Sequence, residues 1–284
     1  MKDVLLDVLK ARASAPAWEW AQKGLQAAQA PVNRNTVIGY HAGASRRMGK
    51  VALALTPAEA AHVDPKAGSL SHWGADEAYR ALLLLTLAHL PPDDYADLVL
   101  AIYKQGDARE QESWLRGLAL LPGAERFLAT AIDSCRTNIL LQFQAIACEN
   151  PYPMRYFPEP NFNQMVLKAL FNTVALERIV GLRERLNAEL SRMADDYAAE
   201  REAAGRAVPV DLWLAQAPHA TPAALQRTAR YLAHKEADHR YWAAVGLGLA
   251  KGNAAQDLLA KRRKVEKDAR VRSALDAALQ RASA

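Results

Sequence analysis

Helical periodicity cut at short intervals by proline and glycine is the feature that most constrains this chain. Thr56-Pro57-Ala58-Glu59 spells a helix start, with Thr56 as cap, Pro57 in the first turn and Glu59 reaching back. An apolar helix is predicted from Trp73 to Leu90, closed by Pro91-Pro92. Asp93 and Asp94 open the next, which runs to Gln105-Gly106, and another spans Glu110 to Leu121 before Pro122-Gly123. Joints this short between helices of this length belong to helix-hairpin repeats. Of 284 residues, 51% are hydrophobic, enough for a sizeable core, while alternation of strand-favouring residues is scarce. The expectation is an all-α chain forming one helical-repeat domain over 1–284. Its N-terminal helices take 1–122, a central part 123–210, and basic C-terminal helices 211–284.

An internal repeat near the C-terminus sharpens that expectation. Asp238-His239-Arg240-Tyr241-Trp242 through Leu249 matches Asp268-Ala269-Arg270-Val271-Arg272 through Leu279. Aspartate, arginine and then small and apolar residues at helical spacing resembles the second half of a HEAT repeat. The predicted architecture is therefore an α-α superhelix, a HEAT-like solenoid.

Several function classes are excluded or disfavoured. The longest apolar stretch, Ala81 to Leu90, is half of the roughly 20 residues a spanning helix needs. Asp7 and Lys10 interrupt the only stretch resembling a signal peptide, so a cytoplasmic location is expected. Cys135 and Cys148 fall in one predicted long helix, about 20 Å apart at ~1.5 Å per residue, too far for a disulfide. Basic character belongs to the C-terminus: from Ala220 onward there are thirteen Lys/Arg against six Asp/Glu, concentrated at Lys261-Arg262-Arg263-Lys264. That run suits a solvated helix face, an acidic partner or an anionic membrane surface. Nucleic acid is disfavoured, because neither zinc-finger spacing nor aromatic-basic interleaving accompanies it. Two Glu-x-x-His pairs, Glu59/His62 and Glu236/His239, lack a matching bundle pattern. His234 and His239 are five apart, off one helical face. No metal site and no cofactor is expected.

The centre of the chain carries the candidate site. A long helix is predicted from about Ala124 to Cys148, with a core stripe of Leu128, Ile132, Cys135, Ile139, Phe143 and Ile146. Ser134, Asn138, Gln142 and Glu149 border that stripe, as a hydrogen-bonded seam or a groove lining. Asn150 to Pro160 packs four prolines and three aromatics into eleven residues, too apolar for a linker. Asn161 and Gln164 fit a capping box. Lys168 interrupts an apolar run, as a snorkelling side chain, an ion-pair member or an anion-binding cation.

The same region resembles the EboA family. Cys135-Arg136-Thr137-Asn138 and Ala147-Cys148-Glu149-Asn150-Pro151-Tyr152-Pro153 are similar to its central signature. So are Tyr156-Phe157-Pro158-Glu159, Phe162 to Phe171, Gly181-Leu182, Arg185 and Glu200-Arg201-Glu202-Ala203-Ala204-Gly205-Arg206. Upstream, Gly106-Asp107-Ala108-Arg109-Glu110-Gln111 and Trp114-Leu115-Arg116 belong to the same pattern. The resemblance implies a helical cytosolic protein taking part in traffic or maturation of secondary metabolites. No catalytic residue is carried over with it.

The favoured expectation is a non-catalytic metabolite-handling protein that binds a small molecule or presents it to pathway enzymes. The alternatives are a protein-interaction scaffold for those enzymes and an enzyme of unknown chemistry centred on Lys168. The candidate ligand contacts are Arg136, Asn138, Gln142, Asn150, Tyr152, Tyr156, Asn163 and Lys168, expected around one cleft formed by residues 135–172.

Overall fold

The computed structural model describes residues 1–29, 31–63 and 68–282. Among these the chain is all-helical, and the β-type pairing present is an isolated bridge between Ala52 and Gly74. It divides into two compact units, Met1–Pro158 and Glu159–Ala284.

In the first unit the helices are α1 (Lys2–Arg12), α2 (Ala15–Ala27), α3 (Arg34–Met48), α4 (Pro57–Ala61), α5 (Ala75–Thr86), α6 (Pro92–Gln105), α7 (Ala108–Gly117), α8 (Leu128–Ser134), α9 (Leu140–Ala147) and α10 (Tyr152–Tyr156). Helix α5 is the centre, packed by α1, α3 and α7. Its sequence explains this: Ala78, Tyr79, Ala81 to Leu84 and Thr86 are buried on every side. A helix with apolar residues on every face belongs in a core, and its buried Asp76, Glu77 and Arg80 must then find partners there. Glu77 starts it by accepting from the Gly74 N–H at 2.7 Å. It ends where the Thr86 hydroxyl turns back onto Leu82 O and Pro91-Pro92 follow. The Thr56/Glu59 capping box of α4 is present as expected.

The expected long helix over 124–148 is instead broken. A 3-10 turn (Ala124–Phe127) leads into α8, residues 135–139 leave helical geometry, and α9 begins at Leu140. Short polar side chains compete for the backbone at the break. The Ser134 hydroxyl donates to Ala131 O at 2.6 Å, and the Thr137 hydroxyl accepts from the Ile139 N–H at 3.1 Å. Ile139 therefore leaves the predicted core stripe and is 47% exposed, beside exposed Leu140 and Leu141, whereas Phe143 and Ile146 are buried. Cys135, half-buried, and Cys148, buried, are thiols rather than disulfide partners.

The second unit comprises α11 (Glu159–Phe171), α12 (Ala188–Ala203), α13 (Leu212–Gln216), α14 (Pro222–Leu232), α15 (Ala237–Leu247), α16 (Asn253–Arg263) and α17 (Ala269–Ala282). Helix α11 starts at Glu159, ahead of the predicted Asn161 cap, with Pro160 in its first turn where a missing N–H costs nothing. Helix α15 packs against α13, α14 and α17. Gly246 permits this: a Cβ there would lie 2.1 Å from Trp213 O. The two repeat segments become α15 and α17, joined by Arg270 Nη1 to Asp238 Oδ1 at 2.5 Å. Asp268 caps α17 by accepting from the Val271 N–H at 3.0 Å. No helix among the described residues is long and apolar enough to cross a membrane.

Candidate functional site

The predicted ligand contacts fall in both units. In the first, Asn150 and Tyr152 are buried and spend their polar atoms on the backbone. Asn150 Nδ2 donates to Leu115 O and Ala145 O, both at 2.9 Å, and its Oδ1 accepts from the Tyr152 N–H at 3.0 Å. The Tyr152 hydroxyl donates to Ala124 O at 2.8 Å, and its ring packs on Tyr156 and Phe157. Gln142 is buried between Thr137 and Gln111, at 2.9 and 2.7 Å. Arg136 and Asn138 are exposed, Arg136 beside Asp133. In the second unit Asn163 is buried and exchanges hydrogen bonds with Asn187, the cap of α12, at 3.2 and 3.0 Å. Lys168 is half-buried on α11.

The first unit also holds a buried charge network that the apolar reading of α5 overlooked. Asp76 accepts from Ser45 at 2.7 Å, from Arg80 at 3.1 Å, and from Arg109 at 3.0 and 3.2 Å. Burial alone would raise this carboxyl, but the Arg109 and Ser45 hydrogen bonds hold it below its ordinary range. Arg80, also buried, donates further to His41 O, Ser113 and Ser45, each at 3.0 Å. Glu77 draws Arg109 to 3.2 Å and Arg116 to 3.3 Å. Burial pushes the His41 imidazole down, toward its neutral form. The motif segments 106–111 and 114–116 thus deliver Arg109 and Arg116 to a clamp that ties α3, α5 and α7 together. The recess bordering Arg116 holds about 10 Å³, room for a water at most. This network is architecture rather than a ligand pocket.

His234, Glu236 and His239 come together, contrary to the expectation from their spacing. His234 lies in the turn before α15, so helical spacing does not govern it, and the two rings sit 4.5 Å apart. Their hydrogen bonds do not suit a metal. His234 Nδ1 accepts from the Glu236 N–H at 3.2 Å, and His239 Nδ1 accepts from the Trp213 indole at 3.4 Å. With both Nδ1 atoms accepting hydrogen bonds, a cation here would have to displace the Glu236 N–H or the Trp213 indole.

A ligand-sized space opens elsewhere in the second unit. The cleft measures about 600 Å³, and a neighbouring lobe of about 420 Å³ shares Glu177, Tyr241, Trp242 and Arg270 with it. Helical spacing builds its floor. Asp238, Tyr241, Trp242 and Val245 form one stripe of α15, while Arg270, Ser273, Ala274, Ala277 and Arg281 form one stripe of α17. Tyr197 and Arg201, four apart on α12, supply a facing wall, and Asp211 lies just ahead of α13. Asp211 is 8% exposed and accepts from the Leu176 N–H at 2.7 Å. Burial raises its carboxyl above the ordinary range; the Leu176 N–H offsets part of that and Glu177 adds to it. The Arg270 guanidinium stacks 4.1 Å from the Tyr241 ring, and Tyr241 meets Trp242 edge-on. The Asp238/Arg270 repeat and the motif containing Arg201 are visible in the sequence; the cleft they border is not.

The fold and this cleft define an all-helical protein with a preformed, mixed aromatic and charged pocket. The chain belongs to the EboA family: the family model for metabolite traffic protein EboA matches residues 1–217. The match contains Glu177, Tyr197, Arg201 and Asp211, whereas Asp238, Tyr241, Trp242 and Arg270 lie beyond it. No match was found among curated proteins or among solved structures.

Proposed function

We propose that the chain binds a small metabolite in the cleft of its second unit and holds it for hand-over to other proteins without converting it. The cleft itself carries this reading. Its volume of about 600 Å³ lies within the roughly 300–1,000 Å³ range of small-molecule sites, and aromatic walls surround a few convergent charges. Family membership supports a metabolite-handling role in general terms. The lining contains no histidine, cysteine or lysine, and its aliphatic hydroxyls, Thr173 and Ser273, therefore have no such base among the lining residues. Lys168 stays a candidate for the hand-over contact, because α11 delivers Leu170 and Phe171 to the cleft rim. The packing of α15 on α17 supports a HEAT-like stack as the frame that presents this groove.

A second reading, turnover, is favoured by one observation. Asp211, a buried carboxyl on the cleft lining with Glu177, is placed to exchange a proton with a bound substrate.

The test is mass spectrometry of small molecules released by denaturing protein that has been equilibrated with extract of its native cells. One compound near stoichiometric amount, unchanged after incubation, is expected. It should be absent from Ala274→Trp and Ala277→Trp, which fill the lobe lined by those residues. Equal loading of the filled variants, or none in wild type, sinks the proposal; a chemically altered compound selects the second reading.

A further inference from the structure

The two lobes of the cleft differ in the charge they leave uncommitted. At one end, Asp211 is buried and is neutralised by no ion pair among the described residues, its carboxylate being held by backbone N–H at 2.7 Å. The two cations sharing that lobe are already engaged. Arg270 is paired with Asp238 at 2.5 Å and stacked on Tyr241, and Arg201 Nε donates to Ala207 O at 2.9 Å. At the other end, Arg183 and Arg281 line the second lobe, and neither makes an ion pair among the described residues. Between the ends lie Trp242, Val245, Ala274 and Ala277, a smooth apolar floor. Along α17 the eleven-residue step from Arg270 to Arg281 corresponds to about 16 Å at ~1.5 Å per residue.

Resting on the reading of this cleft as a metabolite site, we infer that its ligand is amphoteric. It has an apolar, ring-bearing body with an ammonium at the Asp211 end and an acidic group at the Arg183/Arg281 end. A carboxyl stripped of water and given no cation gains most from an arriving ammonium. An anion placed there would have to compete with Asp238 for Arg270. At the far end the balance is reversed: Arg183 and Arg281, neither in an ion pair among the described residues, outnumber the one lining carboxylate, Glu177, and suit an arriving carboxylate or phosphate. The length of the groove favours a body longer than a single amino acid.

The test is calorimetric titration of the full chain with three matched rigid probes. These are 4′-(aminomethyl)biphenyl-4-carboxylate, its acid-free amine and its amine-free acid. The dipolar probe is expected to bind about tenfold tighter than either fragment, one charge-assisted contact's worth. Asp211→Asn should reduce it to the level of the amine-free acid without changing that acid's own affinity. Arg183→Gln with Arg281→Gln should reduce it to the level of the acid-free amine. Because Asp211 also anchors Leu176, Glu177→Gln serves as a second variant and should weaken both amine-bearing probes by roughly threefold, as an exposed charge does. The inference is overturned if the amine-free acid matches the dipolar probe, or if Asp211→Asn and Glu177→Gln leave the dipolar probe unchanged. It is also overturned if no probe binds, even when a copurified metabolite is lost from Ala274→Trp; that result rejects the ligand class and keeps the cleft. Dipolar binding that survives Ala274→Trp rejects the cleft itself.

Discussion

Asp76 and Arg80 stand one turn apart on α5, both buried, with Nη1 3.1 Å from Oδ2. Desolvating two such charges costs several kcal/mol each, and their attraction offsets this only if the remaining hydrogen-bonding positions are filled. Here they are filled from outside the helix: Ser45 and the His41 carbonyl come from α3, Arg109 and Ser113 from α7. The pair thereby fixes the rotation of α5 against both neighbours.

Arg80→Met should accordingly destabilise the first unit by about 3–5 kcal/mol, because Asp76 would lose a buried partner. Adding Asp76→Asn should recover part of the loss. Urea denaturation of the single and double variants measures this, and additive effects would show that the two residues are not coupled.

Glu266 sets an acid limit on the second unit. Burial alone would raise its carboxyl, but hydrogen bonds from Arg240, the Asp268 N–H and Arg262 hold it at about 2, below its ordinary 4.5. A carboxyl depressed by folding stabilises the protein above its unfolded pKa, and that contribution is lost as pH falls from about 4.5 toward 2. The contribution should be on the order of 2 kcal/mol. Denaturation between pH 7 and pH 2.5 should show wild type weakening on acidification. Glu266→Gln should start less stable and change less over the same range.

The elements proved more legible in the sequence than the site did. Pro91-Pro92, Gly106 and the Thr56/Glu59 box announced helix ends because caps act locally. The break at residues 135–139 was hidden, since Ile139 keeps the helical spacing while Ser134 and Thr137 redirect the backbone. Asp76, Glu77 and Arg80 were a visible interruption of an apolar helix. Their meaning depended on partners more than thirty positions away, which spacing does not reveal. The cleft was illegible for the same reason: Glu177, Asp211, Trp242 and Arg281 are brought together by packing.

Within the basic run, the two arginines and the two lysines should behave differently. Arg262 binds Glu266 at 2.6 Å and Arg263 binds Asp276 at 2.5 Å, whereas Lys261 and Lys264 are exposed without an ion pair among the described residues. Lys261→Gln with Lys264→Gln should alter stability by less than about 0.5 kcal/mol. As a test of the anionic-surface reading of this run, wild type is expected to bind phosphatidylserine vesicles at low salt and the double variant to bind them less; no binding by wild type rejects that reading. Arg262→Gln should cost roughly 1 kcal/mol, less than a full buried pair because Arg240 still holds Glu266. Co-sedimentation and thermal melts separate the two effects.

Asn150 and Tyr152 distinguish a structural signature from a ligand contact. Asn150→Ala would strand two carbonyls, Leu115 O and Ala145 O, together with the Tyr152 N–H, all served by one side chain. Each buried group left unpaired costs about 1–3 kcal/mol, so a loss of roughly 3 kcal/mol is expected after partial relaxation. Tyr152→Phe removes only the hydroxyl that donates to Ala124 O and should cost about 1 kcal/mol. Burial already pushes that phenol well above its ordinary range, so it stays protonated and donating at any physiological pH. Both variants should leave the ligand binding proposed for the second unit unchanged, measured below their lowered melting temperatures. Should Asn150→Ala instead keep wild-type stability while ligand binding fails, the Asn-Pro-Tyr-Pro segment would have to be reassigned from bracing the first unit to contacting the ligand.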